Sequence, residues 1–288
     1  AEREIVARMY IDRAWIFLEE RPDHNRAAND LDRAEAIIPA DSPTLWCDLY
    51  NARAGLIGRS KSGVDALPFY LKALASAEVA NDMERMTKMA YNVGQEYMFS
   101  DRFELGITYF EKSLHWATAS GNKQAIGLAH KGLGGCAFFL DQLEKAIKHY
   151  QQAYLIWQAG GNENWLTNVC YDLVEAYATI GEFQEARHYF QIGTGLVQKL
   201  NHQRLLVEYE TLAQQFPALT GQVNDRQARL LAYIDKNGSI SRKQYMDLIG
   251  IGKSQAHRDL TQLCDEGVLV QVGVGRGTRY EKRVTGNP

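Results

Sequence analysis

The sequence predicts a mainly α protein, in which a superhelix of antiparallel helical hairpins precedes a small α+β domain. Two observations lead to this prediction. Small residues recur at spacings of 39, 40, 40 and 40 residues through most of the chain. After residue 220 the pattern changes to three short amphipathic helices, followed by alternating apolar residues around a glycine-rich tip. We therefore expect two domains, residues 1–220 and residues 221–288.

The repeat is clearest in the segments that begin at Asp101, Asp141 and Gly181. Each has a turn residue, an apolar residue two positions later, a small residue, and an aromatic residue four positions after that. The small positions are Ala27, Ala66, Gly106, Ala146 and Ala186, and the aromatic positions are Tyr70, Phe110, Tyr150 and Phe190, with Leu31 in the first copy. A second series of small residues lies one helix earlier, at Ala54, Gly94, Gly134 and Val174.

This spacing favours two antiparallel helices that approach closely at the small residues, with the aromatic ring filling the gap to the next pair. One hairpin cannot bury its apolar face alone, so the hairpins are expected to stack. Residues 203–216 read as a capping helix that closes the stack. Between residues 58 and 65 the sequence GRSKSGVD indicates a loop variation in the second copy.

The pattern resembles the tetratricopeptide repeat. The matching residues are Leu133-Gly134, Ala146, Tyr150 and Ala153, together with Gly94, Tyr97, Phe110, Ala27, Ala34 and Pro39. The period near 40 departs from the usual 34 and is similar to the long repeats of the maltose-regulon activator class and of bacterial peptide-receptor regulators. The resemblance implies a solenoid that binds a peptide or a protein segment.

The concave face of such a solenoid is lined mainly by the first helix of each hairpin. Long polar and aromatic side chains at those positions would suit a peptide ligand, although the same residues also fit an ordinary solvated helix face. The candidates are Asn51, Lys88, Tyr91, Gln95, Lys131, Asn168, Tyr171 and Glu175.

The sequence GIGKS at residues 250–254 looks like the end of a phosphate-binding loop, but its surroundings do not fit one. Such a loop needs a glycine five residues before Gly252, where this chain has Asp247, and a buried strand before it. The preceding segment instead has the pattern of an amphipathic helix. We therefore expect no nucleotide site here and no cofactor.

A different interpretation fits every residue of this region. A first helix ends at Asn237-Gly238, and Ser241 caps a second helix that ends at Gly250. Gly252 then serves as the turn and the N-cap of a third helix, residues 253–266, with Ala256, Leu260 and Leu263 as its buried stripe. The sequence VLVQVGVGRGTRYEKR follows and predicts a β-hairpin.

Three helices and a hairpin of this kind make a winged helix-turn-helix. The segment resembles the DeoR-like and Fic-associated type through Arg258-Asp259-Leu260, the Gly267-Val268-Leu269 run and the wing from Gly273 to Tyr280, with Gly252 in place of the usual serine. The residues left exposed would meet double-stranded DNA. Gln255 and Arg258 suit base edges, whereas Lys253 and the Ser and Thr side chains of the third helix suit phosphates. Arg276 and Arg279 of the wing would hold phosphates or enter the minor groove. The predicted DNA contacts are Lys253, Ser254, Gln255, His257, Arg258, Thr261, Arg276 and Arg279.

Charge and composition limit the other functions. Lys and Arg outnumber Asp and Glu by eleven to seven after residue 220, and are outnumbered by 28 to 21 before it. No apolar run approaches the roughly 18 residues that a membrane span requires, so we expect no membrane partner. The four cysteines lack C-x-x-C spacing and indicate reduced, cytoplasmic thiols rather than a metal site. The seven histidines are scattered without a paired nucleophile, so an enzyme is not expected.

Two functions remain open from the sequence. The first is a transcription regulator that couples a sensor solenoid to a DNA-binding winged helix, as the C-terminal part of a STAND-type ATPase; the start at Ala1, without Met or a signal sequence, favours such a fragment. The second is an adaptor or scaffold in a signalling or defence complex, in which the winged helix contacts protein. The acidic Asp259 on the third helix keeps this second function open. Self-association into a homo-oligomer is compatible with both.

Overall fold

The computed structural model describes residues 2–20, 22–60, 65–221, 224–273 and 275–283, without the side chains of Ser60 and Arg276. It is mainly helical and divides into two compact units, Ala1–Asn162 and Glu163–Pro288. The predicted fold class is confirmed: antiparallel helical hairpins make up most of the chain, and a small two-stranded sheet lies near the C-terminus.

The first unit contains four helical hairpins in sequence order. In each, a helix packs against the next helix along the chain, and successive hairpins contact one another. The helices are α1 (Glu2–Glu19), α2 (His24–Ile37), α3 (Pro43–Ser60), α4 (Leu67–Val79), α5 (Met83–Phe99), α6 (Phe103–Ser120), α7 (Lys123–Phe139) and α8 (Leu143–Gly160).

Turns with a left-handed residue separate the helices at a regular interval. Between residues 81 and 221 the residues with positive φ lie 20 positions apart, and the non-glycine ones have φ between 50° and 57°. Glycine and asparagine tolerate this conformation at the end of a helix, and aspartate tolerates it better than most residues. The series runs Asn81, Asp101, Gly121, Asp141, Gly161, Gly181, Asn201 and Gly221.

The close approach predicted at the small residues is present. A Cβ atom on Gly134 would lie 2.5 Å from the Tyr150 ring, and one on Gly94 would lie 2.9 Å from the Phe110 ring. The same Phe110 ring also lies against Gly132 of the next hairpin. The second copy departs from the pattern, because Ala66 precedes α4 instead of lying inside it. Part of the predicted loop variation, residues 61–64, lies outside the described residues.

The second unit begins with three helices and a short 3-10 helix, and continues into the region predicted to be a separate domain. Its elements are α9 (Glu163–Ile180), α10 (Phe183–Leu200), α11 (Gln203–Gln215), a 3-10 helix (Pro217–Thr220), α12 (Asp225–Asn237), α13 (Arg242–Ile249), α14 (Lys253–Asp265), β1 (Leu269–Val272), a 3-10 turn (Gly275–Gly277) and β2 (Arg279–Lys282). The predicted capping helix at residues 203–216 corresponds to α11.

The three short helices and the hairpin form as predicted at the C-terminus. The strands pair antiparallel, with Leu269 opposite Lys282 and Val272 opposite Arg279. Ile240, just before α13, forms a further bridge to Tyr280 and so attaches the hairpin to the helices.

One continuous core joins α9–α11 to α12–α14 within this unit. Phe183 and Leu219 belong to the same buried cluster as Leu231 and Leu260. Arg187 on α10 donates to the Ala218 carbonyl at 3.1 Å and pairs with Asp225 at the start of α12 at 2.7 Å. The domain boundary at residues 220 and 221 stays a prediction, and experiments on the C-terminal helices are best made on the full chain.

The GIGKS segment lies between two helices and follows no strand. Ser241 and Gln244 form a capping box at the start of α13, and Gly250 ends that helix with φ of 72°. Gly252 caps α14 as predicted, but its φ is −76°. The sharp turn assigned to Gly252 is therefore made at Gly250, where only a residue that tolerates the left-handed conformation fits well.

We expect no saturable ATP binding by the full chain. A phosphate cradle needs the glycine-rich loop to follow a strand and to present its backbone N–H groups, whereas here Asp247 lies on the preceding helix. Isothermal titration with ATP and Mg²⁺ tests this, with Lys253→Ala as the comparison. ATP binding that Lys253→Ala abolishes would contradict the prediction of a helix-turn-helix in this region.

Candidate functional site

A cleft lies between α5 and α7 in the first unit, where the concave face was predicted. Its volume is about 190 Å³, and it contains two of the predicted residues, Lys88 and Tyr91. Lys88 is exposed, and Tyr91 packs at 5.5 Å from Phe110 between ring centroids. The full lining is Glu84, Thr87, Lys88, Tyr91, Ser113, Asn122, Gln124, Ala125 and Leu128.

The other lining residues of this cleft are not among those predicted from the sequence. Glu84 lies one turn before Lys88, and Lys88 lies one turn before Tyr91. All three side chains therefore share one face of α5. This helical spacing would have indicated from the sequence that Glu84 also lines the cleft. Asn122 and Gln124 come instead from the start of α7, where Asn122 also caps the helix by accepting from the Ala125 N–H.

The remaining candidates of the first unit lie outside this cleft. Asn51 is nearly buried, and its side-chain oxygen accepts from the Asn92 amide at 3.3 Å. This contact connects α3 to α5, so Asn51 contributes to stacking of the hairpins. Gln95 and Lys131 are half-buried on α5 and α7.

The three candidates of the second unit lie on α9. The Asn168 amide donates to the Asn164 carbonyl of its own helix at 2.8 Å. Tyr171 packs edge-on against Tyr209, with 5.6 Å between ring centroids, and so takes part in core packing. Glu175 is half-buried, and burial, with the Asp172 charge beside it, raises its pKa. Ligand contact by these three residues stays a prediction.

Helix α14 presents most of its predicted DNA contacts to solvent. The buried stripe Ala256, Leu260 and Leu263 is confirmed. The exposed residues among the candidates are Lys253, Ser254, His257, Arg258 and Thr261.

Gln255 differs from the other candidates on α14, because both ends of its side-chain amide are bonded. Its nitrogen donates to Asp259 at 2.7 Å, and its oxygen accepts from Arg258 at 2.6 Å. Gln255 is also only partly exposed. In this arrangement it orients the Arg258 guanidinium and does not reach outward itself.

Asp259 is buried and connects the three helices of this region. It is 2% exposed, accepts from the Tyr245 hydroxyl at 2.8 Å and pairs with Arg226 at 3.2 Å. Burial raises the pKa of its carboxyl, but hydrogen bonds from Arg226, Tyr245 and Gln255 outweigh burial and lower it overall. From the sequence, the acidic Asp259 on the third helix kept the protein-contact function open. Its charge instead faces inward and is compensated by Arg226.

A basic cleft lies beside the start of α14. Its volume is about 470 Å³, and the described residues that line it include three cations and no carboxylate. Lys253 was predicted, whereas Arg242 and Lys243 at the start of α13 were missed, although the Ser-Arg-Lys sequence at the helix cap is a visible signal. The lining is Ser241, Arg242, Lys243, Met246, Lys253, Gly275, Thr278 and Tyr280.

The wing residues are placed differently from one another. The Arg279 guanidinium donates to the Ser239 hydroxyl at 2.7 Å and is held against the helices. Lys282 pairs with Asp235 at 2.5 Å. The backbone of Arg276 lies in the short 3-10 turn at Gly275–Gly277, and its side chain lies outside what the structure describes.

Comparison with known proteins supports the assignment of the repeats. Residues 124–191 match the family model of the tetratricopeptide repeat. The helical hairpins are tetratricopeptide-like repeats. No curated protein sequence matches the chain.

Solved structures with the same fold include three that extend over most of the chain. The apo form of RapI superposes with a TM-score of 0.68 at 15% identity, covering 89% of this chain and 99% of that one. A Rap protein complexed with Competence and Sporulation Factor has a TM-score of 0.61 at 13% identity, covering 89% and 70%. A signal transduction ATPase with numerous domains, with a tetratricopeptide repeat sensor, from Pyrococcus horikoshii has a TM-score of 0.62 at 17% identity, covering 92% and 38%.

Two further features concern the described residues, namely metal-ligand groups and membrane-spanning helices. No group of three or more His, Cys, Asp or Glu side chains there is arranged to hold a metal ion. No helix in the same residues combines the length and the apolar character needed to cross a bilayer.

Proposed function

We propose that this chain is the sensor and output part of a transcription regulator, in which tetratricopeptide-like repeats bind a peptide or protein segment and residues 221–288 bind double-stranded DNA. The observation that carries the DNA part is the basic cleft of Arg242, Lys243 and Lys253 beside the exposed face of α14. Cations in a cleft that no carboxylate lines attract phosphate groups, and this attraction supplies most of non-specific DNA affinity.

The helix arrangement supports a major-groove contact. α13 ends at Gly250, and α14 begins three residues later, as in a helix-turn-helix whose second helix enters the groove. Arg258 and His257 lie on the exposed side of the first turns of α14, where recognition helices meet base edges. The Gln255 side-chain oxygen accepts a hydrogen bond from Arg258 and so orients it. The Gln255 side-chain nitrogen donates to the buried Asp259.

The repeats are proposed to bind an extended peptide in the α5–α7 cleft. Lys88 supplies a cation there, Tyr91 an aromatic surface, and Asn122 and Gln124 polar groups. The Rap conjugation gene regulator of the plasmid pLS20, solved in complex with the Phr* peptide, has the same fold with a TM-score of 0.58 at 15% identity, which supports a peptide as the ligand class.

The proposal also concerns the type of protein to which the chain belongs, its location and its lack of catalytic activity. The similarity to the Pyrococcus horikoshii ATPase supports a STAND-type regulator as the whole protein, although the chain spans only 38% of that relative. The protein is proposed to be cytoplasmic and to have no catalytic activity of its own in these residues. Cys47 and Cys170 are buried, and burial raises the pKa of each thiol to about 12, which keeps them protonated and unreactive.

DNA titrations with the full chain test the proposal. We expect Lys253→Ala to weaken binding to all duplexes alike and to reduce the salt slope by about one unit, because it removes a phosphate contact. Arg258→Ala should instead cost about 1–3 kcal/mol on the best site and relax sequence preference. Random and selected duplexes are titrated at several salt concentrations by fluorescence anisotropy.

Lys236→Ala is the matched control, since Lys236 is exposed on α12 and does not line the cleft. It should leave both affinity and salt slope close to those of the parent. Absence of DNA binding at low salt by the folded chain would refute the DNA proposal. The C-terminal helices would then be left as a protein-contact surface of an adaptor.

A further inference from the structure

Charged side chains of the protein itself span the interval between α3 and α5, the first helices of two successive hairpins. Arg85 on α5 donates to both carboxylate oxygens of Asp48 on α3, at 2.8 and 2.9 Å. Arg85 also donates at 2.6 Å to Asp82, the N-cap residue of its own helix. Hydrogen bonds between oppositely charged groups are among the strongest in proteins. In this interval the protein therefore supplies both a cation and its anionic partners.

The next interval, between α5 and α7, lacks this arrangement. Forty residues further along, the equivalent of Arg85 is Ala125, whose side chain is too short to reach the neighbouring helix. The cleft of about 190 Å³ lies at this place. The residues equivalent to Asp48 and Asp82 also line it, and they are Lys88 and Asn122. The cation that spans the interval is thus removed, and a cation stands where its main anionic partner was.

The amide side chains of the cleft present hydrogen-bond donors. The Asn122 oxygen accepts from the Ala125 N–H at 3.1 Å, and the Gln124 oxygen accepts from the Asn162 amide at 3.2 Å. The nitrogen of each amide is then the end that can bond to a ligand, and an amide nitrogen only donates. Two such donors beside an ammonium group suit an anion.

The charge of Lys88 is not compensated at contact distance. Lys88 is exposed and forms no ion pair with any residue that the structure describes. Glu84, one turn earlier on α5, is the one carboxylate among the described residues of the lining, and it is exposed as well. Water and salt screen the interaction between exposed charges that are not in contact. Lys88 is therefore available to a carboxylate from outside the chain.

We propose that the α5–α7 cleft binds a side-chain carboxylate of an acidic peptide, which lies where Arg85 lies in the preceding interval and pairs with Lys88. This inference rests on the proposed peptide binding by the repeats and adds the charge of the ligand. The pair repeats the Asp48–Arg85 contact with both signs reversed and with one partner supplied by the ligand. Tyr91 and Leu128 in the lining offer apolar surface to the rest of the peptide.

Peptide selection against the full chain tests the inference. The probe is a library of short random peptides displayed through their C-termini, so that every carboxylate offered is a side chain. We expect the enriched peptides to carry Asp or Glu beside an apolar residue. Changing that acidic residue to Asn or Gln in a selected peptide should weaken binding by about tenfold or more, because a charge-assisted hydrogen bond is lost.

Three variants of the chain make the test specific to the cleft. Selection against Lys88→Glu should enrich peptides with Lys or Arg at the same place, because the charge that they meet is reversed. Glu84→Gln should strengthen binding of the acidic peptides, because it removes a like charge from the lining. Lys88→Asp combined with Ala125→Arg rebuilds the Asp48–Arg85 pair within the cleft. This double variant should bind neither class of peptide, because its own arginine fills the space.

Lys148→Glu is the matched control, since Lys148 is exposed on α8 and does not line the cleft. It should bind the same acidic peptides as the parent with the same affinity. Circular dichroism checks that each variant folds. Peptides that bind the parent without an acidic residue, or whose charge preference Lys88→Glu leaves unchanged, would overturn the inference and leave peptide binding by the repeats standing. If the parent enriches no peptide at all, both proposals are wrong.

Discussion

Replacing Gly193 by alanine is expected to destabilise the second unit by about 3 kcal/mol. Gly193 lies on α10, and a Cβ atom there would lie 1.9 Å from the Tyr209 hydroxyl oxygen. Tyr209 cannot move aside easily, because its hydroxyl donates to the Thr167 carbonyl at 2.8 Å. Its ring also packs against those of Tyr171 and Phe190. The variant must therefore either strain the packing or break a buried hydrogen bond. Urea unfolding followed by circular dichroism measures the loss.

Gly195→Ala in the same helix is the matched control. Nothing lies within 4 Å of a Cβ atom at that position, so only the backbone preference changes. This variant should gain about 0.5–1 kcal/mol, since alanine favours a helix more than glycine does. In a Tyr209→Leu background, the cost of Gly193→Ala should also fall, because the clash is removed. Equal free energies of unfolding for the two glycine variants would mean that Tyr209 does not pack over α10 as described.

Asp259→Ala is expected to destabilise the second unit by about 3 kcal/mol, the lower end of the range for removing one partner of a buried ion pair. The Tyr245 hydroxyl is buried and would lose its acceptor. Arg226 would lose its partner, although its partial exposure lets water replace part of the interaction. The loss is measured by urea unfolding at neutral pH.

Asp235→Ala provides the comparison for a solvent-exposed ion pair. Asp235 pairs with Lys282, and both side chains are substantially exposed. This variant should cost less than about 1 kcal/mol. Similar costs for the two aspartate variants would contradict the buried position of Asp259.

The effect of Asp259→Ala should depend on pH. The pKa of Asp259 is lowered in the folded chain, so its stabilising contribution is present above the ordinary aspartate pKa of about 4. The contribution is lost as the pH falls through the folded value, because the carboxyl then takes up a proton in both states. The difference in unfolding free energy between parent and variant is therefore expected to be constant near neutral pH and to shrink in acid.

Much of the fold could be predicted because its signals are local. The turn residues of the repeat, such as Asp141 and Gly161, end helices through a backbone conformation that few residues tolerate. The small and aromatic positions Gly134 and Tyr150 are a fixed number of residues apart, so the period alone placed them in contact. The capping boxes of α12 and α13 likewise depend on residues three positions apart.

The candidate sites could be predicted only in part, because side-chain partners come from distant segments. Lys253 and the exposed face of α14 followed from helical spacing. The inward direction of Asp259 did not, since its partner Arg226 lies 33 positions earlier in the sequence. Arg242 and Lys243 join Lys253 in the basic cleft only through the turn between α13 and α14.

The sequence by itself determined the helical repeat, its period and the positions of the turns, because these depend on backbone preferences within one or two helical turns. Only the tertiary structure decided which polar side chains are available for binding. Gln255 and Asp259 are polar residues of the predicted recognition helix, but their side chains are engaged in hydrogen bonds within the protein. The tertiary structure also decided that α12 shares a core with α10. Burial of apolar side chains depends on which helices meet in space and not on their separation along the chain.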